Sequence, residues 1–315
     1  MATKSNERHH IVFPVGCDPV KIWKLIEAFT PTVLVRFNPE EGLYVQCMDS
    51  GHTSMLLWEL RPEHCDTYTV SDTGSMCISV PDMIKILANA GAGSTVTWTF
   101  TTDADQLHIT VTPKPGSMFS GANYGMRLLD SDEGLMAVPP TVYISAVVPT
   151  KAYKHAVTHL RGLSSEVSHV YIYLGERDDE TCLVCGVETS GVPRASMYIP
   201  VLNNKHETIR ADGDDDDEDT QESIGHILNE NLDHAKKDHM AYPATLFNKV
   251  LDAGKELGGN TRVHWDTSSP LLLTFVDPAM CVEPASPERS SYGFVRVFLA
   301  PRSDDSHTES QNNDT

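Results

Sequence analysis

No apolar stretch in these 315 residues approaches the roughly 20 residues that a membrane-spanning helix needs. The opening MATKSNERHH also lacks the apolar core of a signal peptide. A membrane partner is therefore not expected. Positive charge is scarce: 24 Lys and Arg stand against 44 Asp and Glu, a formal net charge of −20, the wrong sign for an ordinary nucleic-acid binder. Signatures of catalysis are missing as well. Gly91 and Gly93 are followed by no G-K-[ST], so they make no phosphate loop, and no G-x-S-x-G marks a nucleophile. His155 and His159 lie one helical turn apart, as in zinc proteases, but without the glutamate that would serve as general base. Cys182 and Cys185 form a lone C-x-x-C in a strand-like run, with no second pair to complete a zinc site. No catalytic residue, metal or cofactor is expected. The seven cysteines (17, 47, 65, 77, 182, 185 and 281) are odd in number and mostly set in apolar runs, as reduced thiols of an intracellular, reducing compartment would be.

What is present is a 40% hydrophobic chain long enough for two domains. The acidity is local. Residues 207–239 hold twelve acids and three bases, and residues 302–315 hold four acids and one base, which leaves a body of about −8. Residues 203–239, with the unbroken acidic run 214–219, read as a solvated, disordered surface insertion. Such a run lacks the fixed geometry that metal catalysis requires. Strand-like runs rich in Val, Ile, Thr and Tyr fall at 33–37, 43–48, 54–60, 67–70, 95–101 and 107–112, and again at 143–148, 169–174, 182–189, 194–201, 261–266, 271–276 and 293–300. Helices are predicted at about 18–29, 81–90, 150–163 and 242–257. The layout is one helix-plus-strands unit used four times, two per half, without residue-level repetition.

The predicted helices share a pattern. In the third, Tyr153, Ala156, Val157, Leu160 and Leu163 form an apolar stripe, opposite Lys151, Lys154, His155, Thr158 and Arg161 with no acid among them. The first sets Ile22, Leu25, Ile26 and Phe29 against Lys21 and Lys24. The second sets Ile86, Leu87 and Ala90 against Lys85 and Asn89. The fourth sets Leu246, Phe247, Val250 and Leu257 against Lys249, Lys255 and also Asp252. A single lysine on a helix is ordinarily just a solvated residue. Four in one repeating layout suggest a face that meets a phosphate backbone without reading its sequence.

The run LYVQCMDSGHTSM at 43–55 resembles the proliferating-cell nuclear antigen family of sliding clamps, which typically reads Q-S-M-D-S-S-H-V-S-L at this place. Three further stretches agree in order: Asp66-Thr67-Tyr68 followed by VPDMIKIL at 80–87, YGMRLLDSDEGLMAVPPTVY at 124–143, and Leu299-Ala300-Pro301-Arg302. The resemblance covers nearly the whole chain apart from its N-terminal extension and residues 203–239.

That resemblance implies an α+β DNA-clamp fold of two similar domains, each with two helices packed on antiparallel sheets. The expected divisions are an extension at 1–10, domain one at 11–127, a connecting segment at 128–142, domain two at 143–302 and an acidic tail at 303–315. It implies a homotrimeric ring around double-stranded DNA that serves replication and repair in the nucleus or a viral replication compartment. Its partners would be further copies of itself, a clamp loader, and DNA polymerase and other clients bearing glutamine/aliphatic/aromatic peptides. A heterotrimeric checkpoint-type clamp and a monomeric viral processivity factor are the alternatives. Carried over by position, the DNA face comprises Lys21, Lys24, Lys85, Lys151, Lys154, His155, Arg161, Lys249 and Lys255. The client pocket comprises Met48, His52, Met55, Met136, Val138, Pro139, Tyr143, Pro270, Ala300 and Pro301. The subunit joint comprises Tyr124 and Met126 on one edge, with Met197 and Ile199 on the other. Thr53 and Met55 depart from the family's pocket residues. On the DNA face, His155 and Thr158 stand where arginines are usual, and Asp252 where a lysine is usual.

Overall fold

The computed structural model describes residues 8–13, 19–88, 90, 93–102, 105–118, 120–130, 144–164, 167–177, 180–187, 195–201, 240–257, 260–265, 270–276 and 294–300. Residues 203–239, the segment 131–143 and the tail from 301 onward lie outside them.

Strict alternation makes the first half legible. In TVTWTFT, strand β7 (Thr95–Thr101), every second residue is buried. The same two-residue period governs β2 (Thr32–Asn38), because successive side chains of a strand point to opposite faces. A tight turn joins β2 to β3 (Gly42–Met48), with Gly42 at φ +91°, where an added Cβ would strike the Leu60 carbonyl. The remaining first-half strands are β1 (Arg8–Val12), β4 (Ser54–Leu60), β5 (Thr67–Thr69), β6 (Gly74–Ser79), β8 (Gln106–Thr112) and β9 (Ala122–Arg127). The second half contributes β10 (Ile144–Pro149), β11 (His169–Arg177), β12 (Glu180–Val187), β13 (Ala195–Pro200), β14 (Met240–Pro243), β15 (Asn260–Trp265), β16 (Leu271–Val276) and β17 (Phe294–Leu299). Among the described residues four α-helices interrupt them: α1 (Pro19–Glu27), α2 (Val80–Leu87), α3 (Thr150–Gly162) and α4 (Ala244–Leu257).

Every strand pairing among these is antiparallel, in three sheets. The first runs β5-β1-β7-β8-β9, the second β10-β15-β16-β17-β4-β3-β2-β6, and the third β13-β12-β11-β14. The middle sheet is built from both halves of the chain, which meet where β17 pairs β4 (Phe298 opposite Met55, Leu299 opposite Ser54). The helices lie side by side in the order α2, α1, α4, α3. Their apolar stripes and the sheets enclose one continuous core. In the first half that core centres on Trp23 of α1, with ring centroids 6.2 Å from Trp58 and 6.1 Å from Trp98. Between α3 and α4, Tyr153 meets Phe247 edge-on at 5.2 Å.

Four expectations need correction. The N-terminal extension is shorter than ten residues, since β1 begins at Arg8 and pairs with β7 from there. The inward residue that disguised it is His9, which is polar yet buried between Phe37 and Phe100, with Nε2 2.7 Å from the Thr102 hydroxyl. The fourth helix starts at Ala244 rather than 242, because Tyr242 and Pro243 belong to β14 and pair with Val170 and His169. Leu163 follows α3 and is 42% exposed instead of completing the apolar stripe. Finally, α2 is anchored by Val80, Met83 and Leu87, whereas Ile86 is only half-buried.

Candidate nucleic-acid interface and peptide pocket

The four helices together carry eight Lys or Arg against four Asp or Glu, inside a chain of net charge −20. Because each helix buries its apolar side on the sheets, the polar sides of all four form one surface. On it Lys24, Lys85, Lys151, His155 and Lys249 are exposed, while Lys21, Lys154, Arg161 and Lys255 are half-buried. All nine residues expected on the DNA face are thus brought to one side of the molecule. Lys85 is paired with Asp82 one turn earlier at 3.0 Å, and this contact holds the Asp82 carboxyl below the usual carboxylate range. The seam between α3 and α4 is closed by polar side chains. The Thr158 hydroxyl donates to Asn248 Oδ1 at 2.8 Å, and Lys154 of α3 bonds Asp252 of α4, which also accepts from Lys255 at 2.8 Å. His155 and His159 stack nearly parallel on this surface, with ring centroids 6.3 Å apart.

The opposite face of the middle sheet holds a second apolar cluster of Met55, Leu57, Leu272 and Phe298, with Tyr44 and Met48 packed against it. Strand register makes this cluster. Met48 pairs with Met55, Met55 with Phe298, and Phe298 with Leu272, so one row of side chains crosses β3, β4, β17 and β16. Gln46 steadies the row by donating to the Met55 sulfur at 3.2 Å. Beyond it, Arg296 and Glu59 form an ion pair at 3.1 Å across the β4–β17 joint. The β3–β4 turn sits at one end of the row and is shaped by Asp49. Its carboxylate accepts the Thr53 N–H at 2.9 Å, the Ser54 N–H at 2.7 Å and the Gly51 N–H at 3.2 Å. This turn presents His52, exposed at φ +53°, and the Ala300 N–H donates to the Thr53 carbonyl at 2.8 Å. The structure therefore joins Met48, His52, Met55 and Ala300 at one place, and Pro270 immediately precedes β16. Met136, Val138, Pro139, Tyr143 and Pro301 lie outside the described residues.

Sequence reasoning missed Leu57, Leu272, Phe298 and Tyr44. A signal existed in SMLLWEL: β4 is buried at every position except Glu59, so its outward face is covered like its inward one.

The sheet edges complete the candidate sites. Strands β9 and β13 each end a sheet. The series β1-β7-β8-β9 repeats β10-β15-β16-β17, and β4-β3-β2-β6 repeats β13-β12-β11-β14. Within the chain β17 joins β4, whereas the equivalent strands β9 and β13 have no such joint among the described residues. Tyr124 and Met197 sit half-buried on these edge strands, and Met126 and Ile199, two residues further along the same faces, are 5% and 2% exposed. On β13 itself Tyr198 is 42% exposed, with the Arg177 guanidinium 5.4 Å from its ring.

Two halves of matching topology, with helices on one side and sheets on the other, define the sliding-clamp fold. The chain matches the crystal structure of PCNA from Thermococcus kodakaraensis over 93% of its own length and all of that chain, at 17% identity and a TM-score of 0.67. Residues 21–134 match the family model described as "Proliferating cell nuclear antigen, N-terminal domain". Residues 21–134 are thus similar to the N-terminal domain of the proliferating cell nuclear antigen family, and the second half of the chain repeats the same fold.

Proposed function

We propose that this chain is a DNA sliding clamp and processivity factor, three copies of which close head to tail around duplex DNA. The observation that carries the reading is the coincidence of a basic helix surface with two strand edges, β9 and β13, that have no joint among the described residues. Pairing β9 of one copy with β13 of the next would repeat the β17–β4 joint, and a head-to-tail contact whose rotation closes makes a ring. The helices then line the channel. Their lysines meet phosphates through contacts that are independent of sequence and permit sliding. The acidic remainder of the chain repels DNA and favours its confinement to the channel. The outward cluster around Met55 and Phe298 is the docking site for extended client peptides, among them those of DNA polymerase. A clamp loader and a nuclear or viral replication compartment complete the proposal.

Encirclement is tested topologically. The protein is threaded onto bead-bound linear duplex with one open end, and that end is then blocked by a bulky bound protein. Retention through a high-salt wash, with release when the duplex is cut, is the expected result. Equal loss from blocked and open DNA would refute encirclement.

A further inference from the structure

We propose that Asp252 is an electrostatic brake on the DNA-facing surface, holding Lys154 and Lys255 away from the phosphate backbone until DNA displaces them. The inference rests on the clamp reading and adds a residue that sets how strongly the surface grips.

Both ammonium groups are bound to the same atom, Oδ1 of Asp252, Lys154 from the neighbouring helix and Lys255 from one turn further along α4. Their posture shows the effect. The side chains of Lys154 and Lys255 are 24% and 30% exposed, so they lie along the protein, whereas Lys85 remains 75% exposed although it too is paired with an aspartate. Lys85–Asp82 and Lys255–Asp252 are both pairs one turn apart within a helix. What sets Asp252 apart is a third member, Lys154 of α3, so that lysines of two helices converge on one carboxylate at the seam. Hydrogen bonds from Lys154 and then Lys255 hold the Asp252 carboxyl below the usual carboxylate range, so it is ionised at neutral pH.

A carboxylate oxygen and a phosphate oxygen offer an ammonium group the same kind of contact. DNA therefore competes with Asp252 for these two lysines, and the competition lowers the number of phosphates the surface neutralises. Thr158 and Asn248 bond to each other along the same seam. Along the seam itself these polar groups are engaged with one another, while Lys24 of α1, Lys151 of α3 and Lys249 of α4 are exposed away from it. A brake of this kind favours a loose, mobile grip over a tight one.

The test uses the full chain with Asp252→Asn, and with Asp82→Asn as a control that removes one charge from the same surface without freeing a seam. Two quantities are read: the salt dependence of binding to a linear duplex, and the rate of reductive methylation of each lysine by mass spectrometry without DNA. Asp252→Asn is expected to bind more tightly and to steepen the slope of log K against log salt by about 0.9 for each lysine that gains a phosphate. Lys154 and Lys255 should methylate faster in it while Lys24 and Lys249 keep their rates, and in Asp82→Asn the rates of Lys154 and Lys255 should stay as in the wild type. Adding Lys154→Gln to Asp252→Asn should reverse part of the gain. Asp252 is exposed and the exchange is isosteric, so a thermal melt will confirm that the variant is folded. If the wild type binds DNA but Asp252→Asn has the same slope, or if neither lysine methylates faster, the brake is wrong and the clamp reading survives. If the wild type shows no salt-dependent DNA binding at all, the clamp reading falls and the brake falls with it.

Discussion

Changing Met48 to Glu separates client docking from everything else the chain does. Met48 ends β3 at the margin of the outward cluster, half-buried and in register with Met55, Phe298 and Leu272. A client peptide with two aromatic rings would bury roughly 150–250 Å² per ring, about 8–12 kcal/mol at ~25 cal/mol per Å². Ordering the peptide and losing its free motion offset about 4 kcal/mol of this, which leaves roughly −4 to −8 kcal/mol, with micromolar affinity at the favourable end. A carboxylate against those rings, desolvated and without a partner, costs about 2 kcal/mol or more, a weakening of roughly 30-fold. The site suits the test because Met48 is only half-buried, while Met55, Leu57, Leu272 and Phe298 are 2–5% exposed and support the β4–β17 joint. The melting temperature should therefore hold. Titration calorimetry with a glutamine/aliphatic/aromatic peptide is the assay, with Val138→Asp on the connecting segment as a second variant. Equal affinity for the wild type and both variants would refute the placement of the client site.

Charges placed together at Tyr124 and Met197 should leave the chain folded but monomeric in sedimentation, since closure would bury them unpaired; a variant that assembles as the wild type does would exclude the β9–β13 joint. His264 is buried, and burial pushes its imidazole down to about 3 from the ordinary 6.5. It stays neutral in the fold while the unfolded chain takes up a proton, so its contribution is intact above pH 6.5 and is lost as pH falls from there towards 3, by up to about 1.4 kcal/mol per unit. Urea melts at pH 7, 6 and 5 should show this slope, and His264→Gln should flatten it; parallel slopes would show that another group governs acid stability. Gly254 of α4 packs closely on Phe275, so the methyl of Gly254→Ala would fall inside that ring's contact distance. The overpacking cost of about 1–3 kcal/mol should outweigh the ~1 kcal/mol gain in helix propensity, and an unchanged melting temperature would contradict this.

Period and punctuation carried much of the fold. The alternation of TVTWTFT in β7 and the Tyr153, Ala156, Val157, Leu160 stripe of α3 are local patterns, and the structure follows them closely. Strand β1 escaped because its inward residue is His9, whose burial depends on the distant Phe100 and Thr102. Strand β14 was taken for the start of a helix because Tyr242-Pro243 is followed at once by one. The nine basic positions could be read from helical spacing, but the partners of Lys154 could not, since Asp252 lies 98 residues away. Likewise the β4–β17 joint brings Glu59 to Arg296 across 237 residues, and the outward cluster exists only because of that register. Tyr124 and Met126 share the less exposed face of β9, and Met197 and Ile199 that of β13, because residues two apart in a strand point the same way.

The most direct test of the central claim is the mass of the unmodified protein in solution, measured by light scattering at micromolar concentration. A chain of 34.7 kDa closing as a three-membered ring predicts a single species near 104 kDa. A mass near 34.7 kDa, unchanged as the concentration is raised, would contradict the closed homotrimer and leave β9 and β13 without the joint assigned to them.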